Sequence, residues 1–317
     1  MPSQQQIRTE ITQQIITAIE KGCMPWKRPW SQSRNSGRPT SVASGKPYQG
    51  INPLLLQLHA DRFELQSKWW GTYQTWQQLG GQVKARPKDI EPGCYAARAV
   101  LYRPFTTTEI DQDTGKEIEE QHFMLRYFSL FNADQVEGCD YLKAAEPQGQ
   151  QQIEPDYEPA EQLLQKCGAN FRIHGDKAYY RLPTPEGSWP NHKGGDFIVL
   201  PHKASFAKIG SYYSTAAHEL CHWAEVRTGW DHYKQGYALG ELAAEIGSTY
   251  LTTELGVPNN EPLDNHAAYV KSWLDAMKGD PSYIFKASKQ ASKVTDYLMS
   301  FVRETVAKLE PATAEAA

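Results

Sequence analysis

One helical segment, residues 214–226 (STAAHELCHWAEV), carries two histidines four positions apart, His218 and His222. Residues four apart lie on the same face of an α-helix, so both imidazoles can reach one cation. Glu219 lies about 100° further round the helix, where its carboxylate can approach a water molecule without ligating the cation. Cys221 points away from the face of the histidines, and we expect it to pack as a small apolar residue.

A catalytic zinc site has three protein ligands and one open position, so the two histidines require a third partner. The segment GELAAEIGS places Glu241 and Glu245 one turn apart among apolar residues, where unpaired carboxylates would be costly to bury. In the HExxH-plus-glutamate pattern of one zincin group, the first acid is a ligand and a second acid supports a histidine ligand. This assigns Glu241 as the ligand and Glu245 as the supporting acid, with the reverse assignment left open. A structural histidine pair with solvent-facing acids is the alternative, and the three features together disfavour it.

These residue types indicate metal-assisted hydrolysis of a carbonyl group. Zinc is the expected ion, although two histidines and a glutamate also accept manganese or another divalent cation. A cation would lower the pKa of water, and Glu219 would accept the proton as the water attacks. The segment DFIVLP (196–201) is expected to be an edge strand that aligns an extended peptide through main-chain hydrogen bonds. The oxyanion stabiliser is not identified, and its nearby candidates are Tyr212, Tyr213, Tyr237 and His232.

Charge is divided unevenly along the chain. Residues 1–104 contain 14 Lys and Arg against 6 Asp and Glu, which leaves 19 against 31 in residues 105–317. Five of the nine tryptophans also fall in the basic segment, and aromatic rings among basic side chains suit single-stranded DNA. The alternative is that these tryptophans are core residues and the charges only solvate the surface. The candidate DNA contacts are Trp26, Lys27, Arg28, Trp30, Lys46, Tyr48, Trp69, Lys84 and Arg86.

The pattern of elements predicts an α+β fold of two domains. We expect an N-terminal α+β domain over 1–140, a linker over 141–160, and a mostly helical domain with a small β-sheet over 161–317. Helices are predicted at 7–20, 53–64, 72–81 and 161–167, a hairpin at 95–110 and 119–136, and strands at 171–173, 178–182 and 196–200. No apolar run reaches 18 residues, so no membrane span is predicted. Five scattered cysteines without a CxxC pair argue against a disulfide framework and favour the reducing cytoplasm.

Segments along nearly the whole chain, taken together, resemble the antirestriction protein ArdC family. The segments that resemble its N-terminal domain are PWKRPW, SGKPYQGIN, WWGTYQTWQQLGGQVKA and FSLFNADQVEG. The segments that resemble its metallopeptidase-type domain are DFIVLPHKASF, YYSTAAHELCHWAE and GELAAEIGSTYL. The resemblance implies a domain that binds single-stranded DNA joined to a zincin-like domain. It also implies a protein of plasmids or other mobile elements that shields incoming DNA from restriction. By position, it implies His218, His222 and Glu241 as metal ligands and Glu219 as the acid/base.

Three functions follow from these observations. The first is an antirestriction protein that binds single-stranded DNA and carries a metalloprotease site. The second is a DNA-binding protector in which the metal is structural and no proteolysis occurs. The third is a metalloprotease of other DNA-bound proteins, recruited to them by its N-terminal half. Its candidate substrates are a host restriction factor or another DNA-bound factor.

Overall fold

A computed structural model describes residues 3–26, 35, 37–110, 117–143, 157–187, 194–230, 232–257 and 267–303. The helices are α1 (Gln4–Glu20), α2 (Asn52–Arg62), α3 (Tyr73–Gln78), α4 (Glu158–Lys166), α5 (Ile209–Arg227), α6 (His232–Gln235), α7 (Tyr237–Glu254), α8 (Ala267–Gly279) and α9 (Tyr283–Met299). The strands are β1 (Thr40–Ser41), β2 (Trp69–Gly71), β3 (Gln82–Val83), β4 (Ala97–Ile110), β5 (Glu117–Asn132), β6 (Val136–Glu137), β7 (Phe171–Ile173), β8 (Tyr179–Thr184) and β9 (Gly195–Leu200). The predicted α+β class with a second, mostly helical domain is confirmed.

The N-terminal region is built on a four-stranded sheet with the strand order β1-β2-β5-β4. Strands β4 and β5 form the predicted hairpin, with Ala97 opposite Leu130 at one end and Ile110 opposite Glu117 at the other. The turn between them, residues 111–116, lies outside the described residues. Most of the predicted linker, residues 144–156, also lies outside the described residues.

Helix α1 forms where the isoleucine spacing predicted it. Ser3 caps the helix by accepting a hydrogen bond from the backbone N–H of Gln6, and the Gln6 side chain accepts one from the Ser3 N–H. The isoleucines at 7, 11, 15, 16 and 19 recur every three or four residues, and all five are buried. One face of the helix is therefore committed to the core.

The N-terminal and C-terminal regions share one hydrophobic cluster. The isoleucines of α1 pack there together with Leu54 of α2 and Val100 of β4. The same cluster contains Leu242 and Ile246 of α7, as well as residues of α8 and α9. The two regions thus bury apolar surface against each other.

A buried cation also joins the two regions. The side chain of Arg38 is 2% exposed and lies between two acids of the C-terminal helices. Its Nε is 2.7 Å from Oε1 of Glu254, and its Nη2 donates to Oδ1 of Asp296 at 3.0 Å. Gln49 donates to the second carboxylate oxygen of Asp296 at 2.8 Å, so the same acid holds two N-terminal side chains.

The C-terminal sheet corrects one prediction. Its strand order is β7-β9-β8, so β9, which contains DFIVL of the predicted edge strand, is the middle strand. The physical reason is the run Phe197–Leu200, whose residues are all buried. A continuous apolar run is typical of a strand covered on both faces. Strands β7 and β8 lie at the two edges of this sheet. Strand β8 alternates between exposed and half-buried residues and contains Pro183, a residue that suits edge strands.

Helix α5 packs against this sheet, and α7 and α9 pack against α5 in the same hydrophobic cluster. Among the described residues, none of the helices combines the length and the apolar character needed to cross a membrane.

Candidate metal centre

Helices α5 and α7 bring together the three residues predicted as metal ligands. The Nε2 atoms of His218 and His222 lie 3.2 Å apart. The carboxylate of Glu241 approaches both rings, with Oε2 at 3.6 Å from His218 Nε2 and Oε1 at 3.5 Å from His222 Nε2. One donor atom from each residue lies within 4.8 Å of the other two. Two imidazoles and one carboxylate converging on a point form a donor set that fits a divalent cation.

The close approach of α5 and α7 depends on small residues. A Cβ at Gly247 of α7 would lie 3.1 Å from Sγ of Cys221 on α5 and 3.1 Å from a methyl group of Val294 on α9. Most contacts of real Cβ atoms are longer, so the glycine permits this packing. Cys221 is completely buried in a hydrophobic cluster with residues of α7 and α9, and the prediction that it packs as an apolar residue is confirmed.

Two further acids lie behind the histidines. Oε2 of Glu245 is 3.9 Å from Nδ1 of His218, where a supporting acid was predicted. Oε2 of Glu225 is 3.4 Å from Nδ1 of His222, and the sequence analysis missed this residue. The sequence spacing could have identified Glu225, because a residue three positions after His222 lies on the same side of the helix. Each imidazole thus has an acid near the ring nitrogen that faces away from the centre.

The acids dominate the electrostatics of the centre. Burial alone would lower the pKa of His218, but a hydrogen bond to Glu241 and the charges of Glu219 and Glu245 raise it to about 9. Burial would raise the pKa of Glu241, but the two histidines, with the hydroxyl of Tyr237, lower it to about 2. The concentration of negative charge favours a cation at this point.

The centre lies in a cavity of about 320 Å³. Its inner wall is formed by the acids and histidines of α5 and α7, including the buried Glu219. Residues of β8 also line the cavity, as do Tyr237 and Tyr269. Among the described residues, β8 lies at an edge of its sheet and pairs with β9.

The structure places the candidate DNA contacts differently. Trp26 is 2% exposed and packs edge-on against Trp273 of α8, with ring centroids 6.3 Å apart. The prediction that bases stack on Trp26 is therefore wrong, because its ring belongs to the hydrophobic core that the N-terminal and C-terminal regions share. Lys27, Arg28 and Trp30 lie outside the described residues.

Trp69 is the candidate aromatic residue with the best-placed charge beside it. Its half-buried ring has the ammonium of Lys68 5.2 Å from its centroid. The β-ladder places Thr40 opposite Trp69 and Pro47 opposite Thr40. The exposed Lys46 and the half-buried Tyr48 flank Pro47 and therefore lie about two strand spacings from Trp69, roughly 10 Å.

The remaining two candidates are in the loop that follows β3. Nζ of Lys84 donates to the carbonyl of Asp134 at 2.9 Å, so this lysine is partly committed to the fold. Arg86 is exposed.

Comparison with known proteins agrees with the geometry. Residues 5–131 match the family model for the N-terminal domain of anti-restriction factor ArdC, and residues 158–290 match a zincin-like metallopeptidase. The metal-free crystal structure of the antirestriction ArdC protein from plasmid R388 is 31% identical, with a TM-score of 0.69, and the match covers 94% of this chain and 98% of that one. The chain belongs to the antirestriction ArdC family.

A second structure of the R388 protein contains Mn(II). It is 30% identical to this chain, with a TM-score of 0.64 and coverage of 93% and 97%. Together with the donor set of His218, His222 and Glu241, this relative implies a divalent metal in the family member described here.

Other relatives extend beyond this chain. Two Escherichia coli proteins named DNA primase TraC are 32% and 29% identical over 94% and 93% of the chain, which spans 27% and 20% of their lengths. A Sinorhizobium fredii protein, the uncharacterised y4eC, is 29% identical, with 92% of this chain matched to 91% of its length.

Proposed function

We propose that this antirestriction family member binds single-stranded DNA through its N-terminal region and hydrolyses peptide bonds at the centre on α5 and α7. In this proposal, the protein protects incoming plasmid or mobile-element DNA from host restriction. The observation that carries the catalytic part is the convergence of His218, His222 and Glu241 in a cavity that β8 helps to line.

The proposed ligands are these three residues, and zinc is the proposed ion, with manganese as the second candidate. When bound, a divalent cation supplies a Lewis acid that polarises a carbonyl and makes water a stronger acid. Glu219 lines the same cavity and would take a proton from the attacking water and return it to the leaving amine. Glu225 and Glu245 would hold the two imidazoles in place.

The edge strand supports a peptide as substrate. In this proposal, an extended peptide adds to the edge of β8 that faces away from β9, through main-chain hydrogen bonds. Pro183 has no N–H, and the pairing of β8 with β9 shifts register between Arg181 and Thr184. The regular part of this edge is therefore short, Tyr179–Arg181, and it borders the cavity at Tyr179 and Tyr180.

The proposed DNA surface centres on Trp69, Lys68, Lys46 and Tyr48. Its support is the partial exposure of Trp69, the neighbouring ammonium group and the basic balance of residues 1–104. A base would stack on the ring while the lysines follow the phosphates. Arg86 would extend the basic surface.

The catalytic proposal is tested by comparing the metal-loaded protein with Glu219→Gln on labelled casein and on a library of quenched fluorogenic peptides. We expect cleavage by the wild-type protein, loss of cleavage in the variant and loss with a chelator, while the variant keeps its metal. Equal cleavage by both proteins would remove Glu219 from the reaction. Antirestriction that survives in Glu219→Gln would instead favour a protector without proteolysis.

The DNA proposal is tested by titrating labelled single-stranded and duplex oligonucleotides at two salt concentrations, with and without a chelator. We expect tighter binding of single strands, weakened by salt and unaffected by the chelator. Trp69→Ala should weaken binding by roughly 1–3 kcal/mol, as loss of one stacking platform does. The buried Trp76 is unsuitable as a control because of its packing, so the exposed Tyr73→Ala serves instead. Preference for duplex DNA would contradict the stacking proposal.

A further inference from the structure

We propose that Asp196 and Arg227 are positioning residues, which hold Tyr180 and with it the edge strand β8 at a fixed place beside the metal-binding helix α5. This inference rests on the proposed peptide hydrolysis at the same centre. Because the proposed peptide adds to β8, the place of that strand decides how far the peptide backbone lies from the proposed metal ligands.

The cavity has walls from two separate elements. Helix α5 supplies His218, Glu219 and His222, whose relative positions are set by the helix itself. Strand β8 supplies Tyr180 and Leu182, which are two residues apart and therefore lie on the same face of the strand. Neither element sets the distance between the two walls, so the contacts that join them determine the width of the cavity.

The β-ladder that holds β8 is short. It is regular over Tyr179–Arg181, opposite Phe197–Val199, and its register shifts before the last pair, Thr184 with Gly195. Pro183 lies within this shift and has no N–H to donate. Main-chain hydrogen bonds to β9 therefore fix only part of β8, and side-chain contacts carry more of the task.

One side-chain network joins β8, β9 and α5. The hydroxyl of Tyr180 donates to Oδ2 of Asp196, near the start of β9, at 2.8 Å. Arg227, in the last turn of α5, donates from Nη1 to the same oxygen at 2.7 Å and from Nη2 to Oδ1 at 3.1 Å. A guanidinium that contacts both oxygens of a carboxylate fixes the direction of the contact as well as its distance.

Arg227 is itself anchored to the helix that carries the proposed ligands. Its Nη1 also donates to the carbonyl of Trp223 at 2.9 Å, and its guanidinium carbon lies 3.6 Å from the centroid of the Trp223 ring. Trp223 is buried and directly follows His222 in the chain. The network therefore runs continuously from the neighbour of a proposed metal ligand to Tyr180 on the cavity wall.

The network is charged and largely shielded from water. The side chain of Asp196 is 14% exposed, and that of Arg227 is 29% exposed. Burial would raise the pKa of Asp196, but hydrogen bonds from Arg227 and Tyr180 lower it, so the carboxylate stays ionised at neutral pH. Burial and the Asp196 carboxylate raise the pKa of Tyr180, so its hydroxyl keeps its proton and remains a donor. A buried polar network with its bonds made holds the groups that it joins in one arrangement.

The test measures peptide hydrolysis by protein loaded with zinc or manganese, on the best-cleaved member of the fluorogenic peptide library. The variants are Tyr180→Phe, which keeps the ring and removes the anchoring hydroxyl, and Arg227→Met, which removes the guanidinium. The matched controls are Tyr73→Phe, at an exposed tyrosine, and Lys278→Met, at the lysine of an exposed ion pair with Glu20.

We expect both variants to raise KM about tenfold, as loss of roughly one main-chain hydrogen bond to the peptide does. The value of kcat should stay within about threefold of wild type, because the ground state and the transition state lose the same bond. Arg227→Lys, which can keep one contact with Asp196, should raise KM less than Arg227→Met does. Metal affinity, measured by calorimetry, should be unchanged in these variants, and the controls should keep the wild-type KM.

Methylation of the peptide backbone separates positioning from a general loss of stability. Each main-chain N–H of the probe is replaced in turn by an N-methyl group, which removes one hydrogen bond to β8 at the positions that pair with it. Methylation at these positions should raise KM for the wild-type protein. The same methyl groups should have little further effect in Tyr180→Phe, because the two changes remove one shared interaction.

The outcomes distinguish this inference from the proposed function. Glu219-dependent cleavage with an unchanged KM in Tyr180→Phe and Arg227→Met overturns the inference alone. A raised KM to which the methylation effects add in full also overturns it, because the loss then does not act through the edge of β8. Lowered metal affinity together with a lowered Tm would show a structural role and count against positioning. No Glu219-dependent cleavage by the wild-type protein overturns both.

Discussion

Replacing Arg38 by Met should destabilise the protein by about 3 kcal/mol, because it removes the cation buried between the two regions. Removing one partner of a buried ion pair costs about 3–5 kcal/mol, since the other charge is left without compensation. For Arg38→Met we expect a cost at the lower end of this range. The side chain of Asp296 is 36% exposed and can be hydrated, whereas that of Glu254 is 19% exposed and loses its principal cation. Burial raises the pKa of Glu254, so uptake of a proton limits the cost.

The assay is urea unfolding followed by tryptophan fluorescence, with a chelator present so that metal binding does not contribute. The variant Arg38→Met keeps a flexible apolar stem that reaches about as far as Nε of the arginine, and it removes the guanidinium. The matched control is Arg86→Met, an exposed arginine whose replacement should change the free energy of unfolding by less than about 0.5 kcal/mol.

A double-mutant cycle decides whether the ion pair is the cause. Adding Glu254→Gln to Arg38→Met should restore at least about 1 kcal/mol, because both charges are then gone. Additive losses in the double variant, or a single variant as stable as wild type, would refute the reasoning. Additive losses would mean that Arg38 stabilises the protein by packing alone, and an unchanged single variant would mean that it adds no net stability.

Three further predictions follow from the structure. Burial lowers the pKa of His59 to about 4. The neutral imidazole therefore contributes fully to the free energy of unfolding above about pH 6.5, and about 3 kcal/mol of that contribution is lost as the pH drops to 4. This loss, measured by urea unfolding, should be absent in His59→Leu. Gly247→Ala should lower the free energy of unfolding by about 1–3 kcal/mol and weaken metal binding, because the new methyl group pushes α7 away from Cys221. The control is Gly279→Ala, whose methyl group meets no atom within 4 Å. Equal effects of the two substitutions would contradict the packing argument. Glu225→Gln should lower metal affinity about 10- to 100-fold in calorimetry, and an unchanged affinity would show that this acid does not support His222.

The local features of the metal centre could be predicted from the sequence. Spacing alone placed His218 and His222 on one face of α5, and the apolar context of Glu241 indicated that this acid faced inward. The supporting acid Glu225 was equally local, and the same periodicity could have found it. Helix α1 and the β4–β5 hairpin were predictable for the same reason, since their patterns repeat over many residues.

Features that depend on distant parts of the chain could not be predicted. The order β7-β9-β8 depends on pairing between segments, and periodicity does not report which strand is central. Tyr269 meets Tyr237 from another helix, so no spacing rule links them. Trp26 follows a basic-aromatic pattern typical of a nucleic-acid surface, yet Trp273 buries it from almost 250 residues away. Whether an amphipathic ring is buried or exposed depends on the residues that pack against it.

The core shared by α1 and the C-terminal helices has a consequence for synthesis on the ribosome. The isoleucine face of α1 is made first, but Leu242, Ile246 and Trp273, which help to cover it, emerge more than 200 residues later. Acids that neutralise Arg38 also come late, at positions 254 and 296. A nascent chain therefore carries an incompletely covered apolar helix until α7 and α8 have been made, and its N-terminal region completes folding only after α9 has left the exit tunnel.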